Sequence, residues 1–251
     1  MIDNGDDVRF VDTSEISDMR NLFRNNATFN QDISRWDTSN VIDMSHMFYR
    51  ASTFNQPINS WDVGNVTDMR NMFGNTETFN QPIGSWDVSN VRNMSGMFDG
   101  AKSFNQPIGN WDVSSVTDMS YMFNIAKAFH QDIGAWNVSN VTRMDLMFLA
   151  ASAFDCDISG WNTLKVTNMC CMFDGAEAFN RDISRWNTSS VINMSCMFRN
   201  SGMCHVYDFI RKFGGPGEAL RDMIGDEIYE EMRDVPLEKI DEYLKIRKIH
   251  E

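Results

Sequence analysis

Ile108-Gly109-Asn110-Trp111-Asp112-Val113-Ser114-Ser115-Val116-Thr117-Asp118-Met119-Ser120-Tyr121-Met122-Phe123 decides the fold of this chain, because the pattern returns every 25 residues. Trp36, Trp61, Trp86, Trp111, Trp136, Trp161 and Trp186 are all seven tryptophans of the 251-residue chain, each 25 positions from the next. Self-similarity at this period means a repeat architecture, in which each unit buries its apolar residues only against its neighbours. Regular copies start at Ile33, Ile58, Ile83, Ile108, Ile133, Ile158 and Ile183. A degenerate copy precedes them, with Val8, Ile16 and Met19 in register and Val11 at the tryptophan position. An end rung has a neighbour on one side only, so an atypical first copy is expected.

Within a copy the apolar spacing changes. Trp111 and Val113 alternate with Asp112 and Ser114, the two-residue period of a short strand. Met119, Met122, Phe123 and Ala126 then fall at i, i+3, i+4 and i+7, one stripe of a helix that Thr117 or Asp118 can cap. The turn Phe104-Asn105-Gln106-Pro107 closes the unit. These periods predict an α/β solenoid of about eight 25-residue strand–helix rungs, with parallel strands on one face and short helices on the other. The methionine pairs, such as Met69 and Met72, are expected in the core rather than on a haem or copper ion.

The domain reading is a disordered start over 1–7, a repeat solenoid over 8–204 and a helical C-terminal cap over 205–251. In the last segment Leu220, Met223, Ile224, Ile228 and Met232 form an apolar stripe after the breaker Gly214-Gly215-Pro216-Gly217. A cap is expected because an exposed solenoid end is an aggregation hazard.

The net charge of −13 argues against a nucleic-acid partner, whose phosphates need clustered Lys and Arg, and fits basic partners or cations. No apolar run reaches the roughly 20 residues of a membrane span. The acidic stretch from Met1 to Asp7 has no apolar signal core, so no export signal is read there. Cys156, Cys170, Cys171, Cys196 and Cys204 are an odd set without a framework, which suggests free thiols. Cys171 and Cys196 share the repeat position held elsewhere by His46, Asn71, Gly96, Tyr121 and Leu146, and are read as interchangeable repeat residues.

The run from Phe104 to Phe123 resembles the 25- to 26-residue repeats of BspA-like surface proteins, also called mycoplasma-type lipoprotein repeats, over roughly residues 8–200. That resemblance implies a leucine-rich-repeat-like solenoid at the cell surface or outside the cell, acting in adhesion or protein binding. In the pattern Ile-x-x-Trp-x-Val-x-x-Val, valines such as Val41 and Val116 stand where a leucine-rich repeat carries its asparagine ladder.

The outward positions of the expected strands form the candidate recognition surface: Asp37, Asp62, Asp87, Asp112 and Asn137 after the tryptophans, with Ser89 and Ser114 two further on. Carboxylates about 5 Å apart on adjacent rungs repel by about 3 kcal/mol at an effective dielectric near 20, before screening. Hydrogen bonds to turn N–H groups, a calcium ion or a basic partner would offset that. Calcium needs six to eight oxygens, which single carboxylates supply only with help. A second series, Asp43, Asp68 and Asp118, is expected to complement helix dipoles. No metal-ligand, phosphate-loop or dinucleotide motif is present, and His46, His130, His205 and His250 are scattered. The reading is a non-enzymatic module without cofactor or catalytic residues, recognising a protein partner through its strand face. The alternative is an assembly protein that self-associates through its ends or last helices.

Overall fold

The computed structural model describes residues 5–203, and beyond them Arg221, Asp222, Ile224 to Asp226, Tyr229, Glu230, Lys239 and Glu242. The chain is a stacked coil of 25-residue rungs, but not of the α/β kind the periodicity predicts. Residues 5–203 contain no helix, and the rungs pair only through isolated parallel bridges that link Asp18, Asp43, Asp68, Asn93, Asp118, Arg143, Asn168 and Asn193 in sequence.

The apolar spacing has another cause. Each rung is a series of turns closed by bonds from an N–H to the carbonyl three residues earlier. In the rung from Ile108 these run Trp111 to Ile108, Val116 to Val113, Met122 to Met119, Asn124 to Tyr121, Ala126 to Phe123 and Phe129 to Ala126, at 2.9–3.2 Å. One side chain per turn points inward, so the core residues recur at three- and four-residue spacing without a helix. The expected strand Trp111–Val113 is likewise the junction of two turns.

Two left-handed residues per rung prevent a helix from propagating. Tyr121 has φ 59° and Ile125 φ 55°, and His46, Arg50, Asn71, Leu146 and Ala150 hold the equivalent positions at 51–60°. Each reversal swings an amide out of the coil. The N–H groups of Met119, Tyr121, Phe123 and Ile125 therefore reach the carbonyls of Arg143, Asp145, Met147 and Leu149 on the next rung, at 2.7–3.1 Å. The intervening N–H groups close the turns. Donors and acceptors along this segment, the turn ladder, are thus used alternately within and between rungs. A left-handed residue other than glycine costs about 1–2 kcal/mol, which here buys inter-rung pairing. Ala150→Gly relieves that cost at φ 52° and is expected to raise stability by about 0.5–1 kcal/mol, read as an upward shift in denaturant midpoint. A downward shift would show that the alanine methyl packs usefully.

The core is a set of columns running through the stack. Phe48, Phe73, Phe98, Phe123, Phe148 and Phe173 are fully buried and stacked 5.6–5.7 Å apart. Each also lies against a second phenylalanine of its own rung, as Phe123 does on Phe129 at 3.9 Å. The tryptophans form a third column; the rings of Trp111 and Trp136 are parallel and stacked at 6.5 Å. Their indole N–H groups donate to the isoleucine carbonyl of the previous rung, Trp111 to Ile83 and Trp136 to Ile108, each at 3.1 Å. The methionines Met119 and Met122 and their equivalents are buried in the same core.

Asparagine ladders exist, though not at the valines, which are core residues. Asn80 N–H donates to Asn55 Oδ1, Asn105 to Asn80 and His130 to Asn105, all at 2.9 Å. The stretch Phe-Asn-Gln-Pro, expected as a turn, is instead a rung-to-rung clamp, since residues 104–107 carry no turn and the Asn105 N–H bonds the neighbouring rung. A second ladder joins Asn65 Nδ2 to the Ser39 carbonyl and Asn90 Nδ2 to that of Gly64, at 2.7 Å.

At the N-terminal end, Gln31 bonds the Asp6 carbonyl and the Val8 N–H. Residues 1–4 of the expected disordered start, and most of the expected helical cap over 205–251, lie outside the described residues. Those described there include Ile224, buried at the end of the core, with Tyr229 packed beside it. The Asp222 carbonyl accepts the Cys196 N–H, one of the turn-ladder donors of the last rung.

Candidate functional site

The expected recognition residues stand in one exposed column, and the structure gives each a local partner. Asp37 Oδ1 accepts the Ser39 N–H at 3.0 Å and its hydroxyl at 2.6 Å. Asp62 accepts the Gly64 N–H, Asp87 that of Ser89, Asp112 that of Ser114 and Asn137 that of Ser139, at 3.0–3.2 Å. These are Asx turns, in which a short polar side chain bonds its own backbone two residues on. Asp43, Asp68 and Asp118 do the same, towards the N–H groups of Ser45, Arg70 and Ser120. No helix follows them, so the expected dipole role falls away.

Hydrogen bonding outweighs the repulsion along the Asp column. The serine hydroxyl, then its N–H, holds the Asp37, Asp87 and Asp112 carboxyls below the usual carboxylate range. Repulsion from Asp112 is the smallest of the influences on Asp87. A carboxyl depressed in the folded state stabilises it above the unfolded pKa, and that contribution is lost as pH falls through the folded value. The melting temperature is therefore expected to hold from pH 7 to about 5 and to fall below about pH 4. A flat profile down to pH 3 would show that these turns do not depend on ionised carboxylates.

A second face, exposed at Tyr121 and mostly half-buried elsewhere, lies along the turn ladder, and sequence reasoning missed it by treating that segment as helix. It carries a cavity of about 390 Å³ over the rungs that contain Asn71, Gly96 and Tyr121. These three are successive members of one left-handed column, and Asn71 closes over Gly96: a Cβ there would stand 2.5 Å from Asn71 Oδ1, so only glycine fits unless the Asn71 side chain moves. Asp99, Asp118, Arg70 and Arg143 complete the charged lining. Arg143 is held by Asp145 at 2.9 Å and lies 3.7 Å from Asp118, while Arg70 is held by Asp68 at 3.3 Å. Asp99 is half-buried, with the Asn124 amide at 2.8 Å, and among the described residues no Lys or Arg pairs with it. Burial pushes its carboxyl above the usual range, against the opposing effect of the Asn124 bond.

Of the histidines, His46 and His130 lie among the described residues. His130 Nδ1 continues the asparagine ladder, 3.4 Å from the Asp155 N–H, while His46 Nδ1 is buried without a partner. The described cysteines are free thiols, with Cys170 Sγ 3.5 Å from Cys171 Sγ. Burial first, then Cys170, pushes the Cys171 thiol up to about 12. Cys171 is therefore expected to resist iodoacetamide at pH 7.5 in the folded protein, since the thiolate is the nucleophile. Rapid alkylation on peptide mapping would contradict that burial. Among the described residues no group of three or more His, Cys, Asp or Glu is placed to hold a metal ion, and no helix is long and apolar enough to cross a membrane.

A family model described as "Mycoplasma protein of unknown function, DUF285" matches residues 2–111 and 94–206. No curated protein matches. Among solved structures, a chain from the crystal structure of a TLR13–ssRNA13 complex is similar at 11% identity and a TM-score of 0.25, over 58% of this chain. The match spans 27% of that chain.

Proposed function

The chain belongs to the DUF285 repeat family, and we propose that it is a non-enzymatic module that recognises a protein partner through an exposed lateral face of the coil. The observation that carries this reading is how completely the framework is used internally. Phenylalanine, tryptophan and methionine columns fill the core, and the turn ladder and asparagine ladders join each rung to the next. What remains are columns of exposed side chains on a regularly spaced scaffold, the arrangement by which solenoids present binding surfaces. Cell-surface adhesion, which the BspA-like resemblance implies, is the finer form of the same proposal.

Self-association through the ends is the alternative. The bonds between rungs run both ways: the turn-ladder N–H groups point to the later rung, while those of Thr67, Arg92 and Thr117 point to the earlier one. Backbone polarity therefore does not decide how ends would pair, and the Asp222 carbonyl already covers one donor at the far end. Light scattering over a concentration series separates the readings, since a monomer throughout removes assembly.

The test of recognition is capture from the native source. One bait is the intact chain, and the other carries Asp37→Asn, Asp62→Asn, Asp87→Asn and Asp112→Asn with an unchanged melting temperature. A stoichiometric partner lost by the variant assigns recognition to the Asp37 column. A partner kept by both assigns it to another face, and no stoichiometric partner overturns the proposal.

A further inference from the structure

We propose that the cavity at Gly96 on the turn-ladder face is a receptor for the guanidinium group of an arginine side chain carried by a basic protein segment. The inference rests on the recognition reading and names its site and chemistry.

Comparison of the copies selects the face. A single repeat chain displays its own variation, because every copy solves the same folding problem. The Asp37 column varies little: it holds Asp or Asn throughout, and each member makes the same Asx turn. The two columns beside the turn ladder behave differently. One reads His46, Asn71, Gly96, Tyr121, Leu146 and Cys171, and the other Tyr49, Gly74, Asp99, Asn124, Leu149 and Asp174. The backbone at the first column is left-handed in every one of those copies, so packing demands the same conformation each time. The side chains nonetheless range from none to an aromatic ring. Close neighbours require glycine at Gly74 and Gly96, and Arg199 pairs with Asp174, but the other positions share no packing demand, which leaves them available to specify a ligand.

The chemistry within the cavity selects arginine. Its arginines are engaged, Arg70 with Asp68 and Arg143 with Asp145 and Asp118. Its acceptors are in excess. Asp99 has a single amide donor, Asn71 Oδ1 lies over Gly96, and Asp118 Oδ2 meets Arg143 only at 3.7 Å. These acceptors belong to successive rungs, about 5 Å apart. A guanidinium presents five N–H donors in one plane and spans such a set, whereas an ammonium is a point charge. Tyr121, exposed at 39%, supplies an aromatic surface for the planar cation. The desolvated Asp99 carboxyl gains most from a cation, because partial burial strengthens its field. The net charge of −13 adds steering of basic segments to the surface.

The probe is N-acetyl-glycyl-arginyl-glycine amide, titrated while the side-chain amide signals of Asn71 and Asn124 are followed by NMR. Its lysine and citrulline analogues are titrated in parallel. Saturable shifts are expected with the arginine peptide, at a dissociation constant of about 1 mM. The citrulline peptide, which keeps the shape and loses the charge, is expected to give none, and the lysine peptide to bind more weakly. Asp99→Asn is expected to weaken arginine binding about tenfold. Gly96→Asn should abolish it, because its Cβ would displace the Asn71 carboxamide that lies 2.5 Å away, while the left-handed backbone accepts asparagine, as it does at Asn71 with φ 51°; an unchanged melting temperature checks that it folds. The four-residue Asp37-column variant should bind normally. Absence of saturable shifts, or equal binding by Asp99→Asn, overturns the assignment, as does stronger binding of the citrulline peptide. A captured partner that survives both cavity variants also overturns it and leaves the recognition reading standing. Arginine binding without any captured partner supports the cavity and removes the protein partner.

Discussion

Replacing Trp111 by alanine is expected to destabilise the protein by about 3–5 kcal/mol, measured as a fall in denaturant midpoint. The indole is buried at 3% exposure, lies 6.4 Å from Phe98 and 6.5 Å from Trp136, and donates to the Ile83 carbonyl. Truncation therefore opens a cavity inside a column and removes one of the two donors to that carbonyl, which the Trp86 N–H still bonds at 3.2 Å. The lost hydrogen bond adds about 0.5–1.5 kcal/mol. Against a typical total of about 5–15 kcal/mol, one substitution removes a large share. Trp111→Phe separates the contributions. It keeps most of the aromatic volume and loses the hydrogen bond, so about half the effect or less is expected to remain. The transition of the alanine variant is expected to broaden or split, because rungs on either side of a weakened interface unfold on their own. A loss under about 1 kcal/mol would mean that the tryptophan column is loosely packed.

How far the sequence revealed this molecule depends on which physical quantity each pattern reports. The 25-residue register of the tryptophans reports stacking, and the structure has that stacking with the tryptophans in a buried column. The spacing of Met119, Met122, Phe123 and Ala126 reports only which residues face inward. A helix and a run of three-residue turns place the same residues inside, and hydropathy does not separate them. The discriminating signal lay in the polar positions between. Of two sites per rung, one holds Asn or Gly in three of eight copies, at Asn21, Asn71 and Gly96, and the other in five of eight, at Asn25, Asn75, Gly100, Gly175 and Asn200. Those are the residues that tolerate a left-handed backbone, and a recurrent pair of them four positions apart is incompatible with a regular helix. The helix pattern hid them, because the other copies carry His46, Tyr121, Ile125 and Leu146 there.

The candidate site was legible to a similar degree. Asp37, Asp62, Asp87 and Asp112 are exposed in one column, as their position after the tryptophans suggests. Their Asx bonds were among the offsets anticipated for a carboxylate ladder. The cavity was not legible. Asn71, Gly96 and Tyr121 are adjacent only because they share a column, and Asp99 enters its lining from a neighbouring one. The column of His46, Asn71, Gly96, Tyr121 and Leu146 was visible in the sequence as a position of variable residues. That it borders a cavity followed only once the helix was replaced by turns.

Removal of one whole copy is the sharpest test of the stacked-turn architecture. Deleting residues 84–108 joins Ile83 to Gly109, and Gly84 and Gly109 hold the same repeat position. Every column then closes up by one member. Trp111 takes over the Ile58 carbonyl that Trp86 occupies now, and His130 N–H meets Asn80 Oδ1 in place of Asn105. The shortened protein is expected to fold. It should lose about 1–2 kcal/mol, roughly one rung's share of a total near 5–15 kcal/mol. Deleting only residues 84–95 has the opposite outcome, although it removes less of the chain. Gly96 would follow Ile83, and the next rung would meet its neighbour out of register, with polar residues facing the phenylalanine columns. Buried polar groups without partners cost about 1–3 kcal/mol each, several per rung, which exceeds the stability available. Size-exclusion chromatography and denaturant melts distinguish the outcomes. A folded short-deletion variant, or an unfolded whole-copy deletion, would mean that the rungs are not interchangeable units and that the core is held by contacts beyond nearest neighbours.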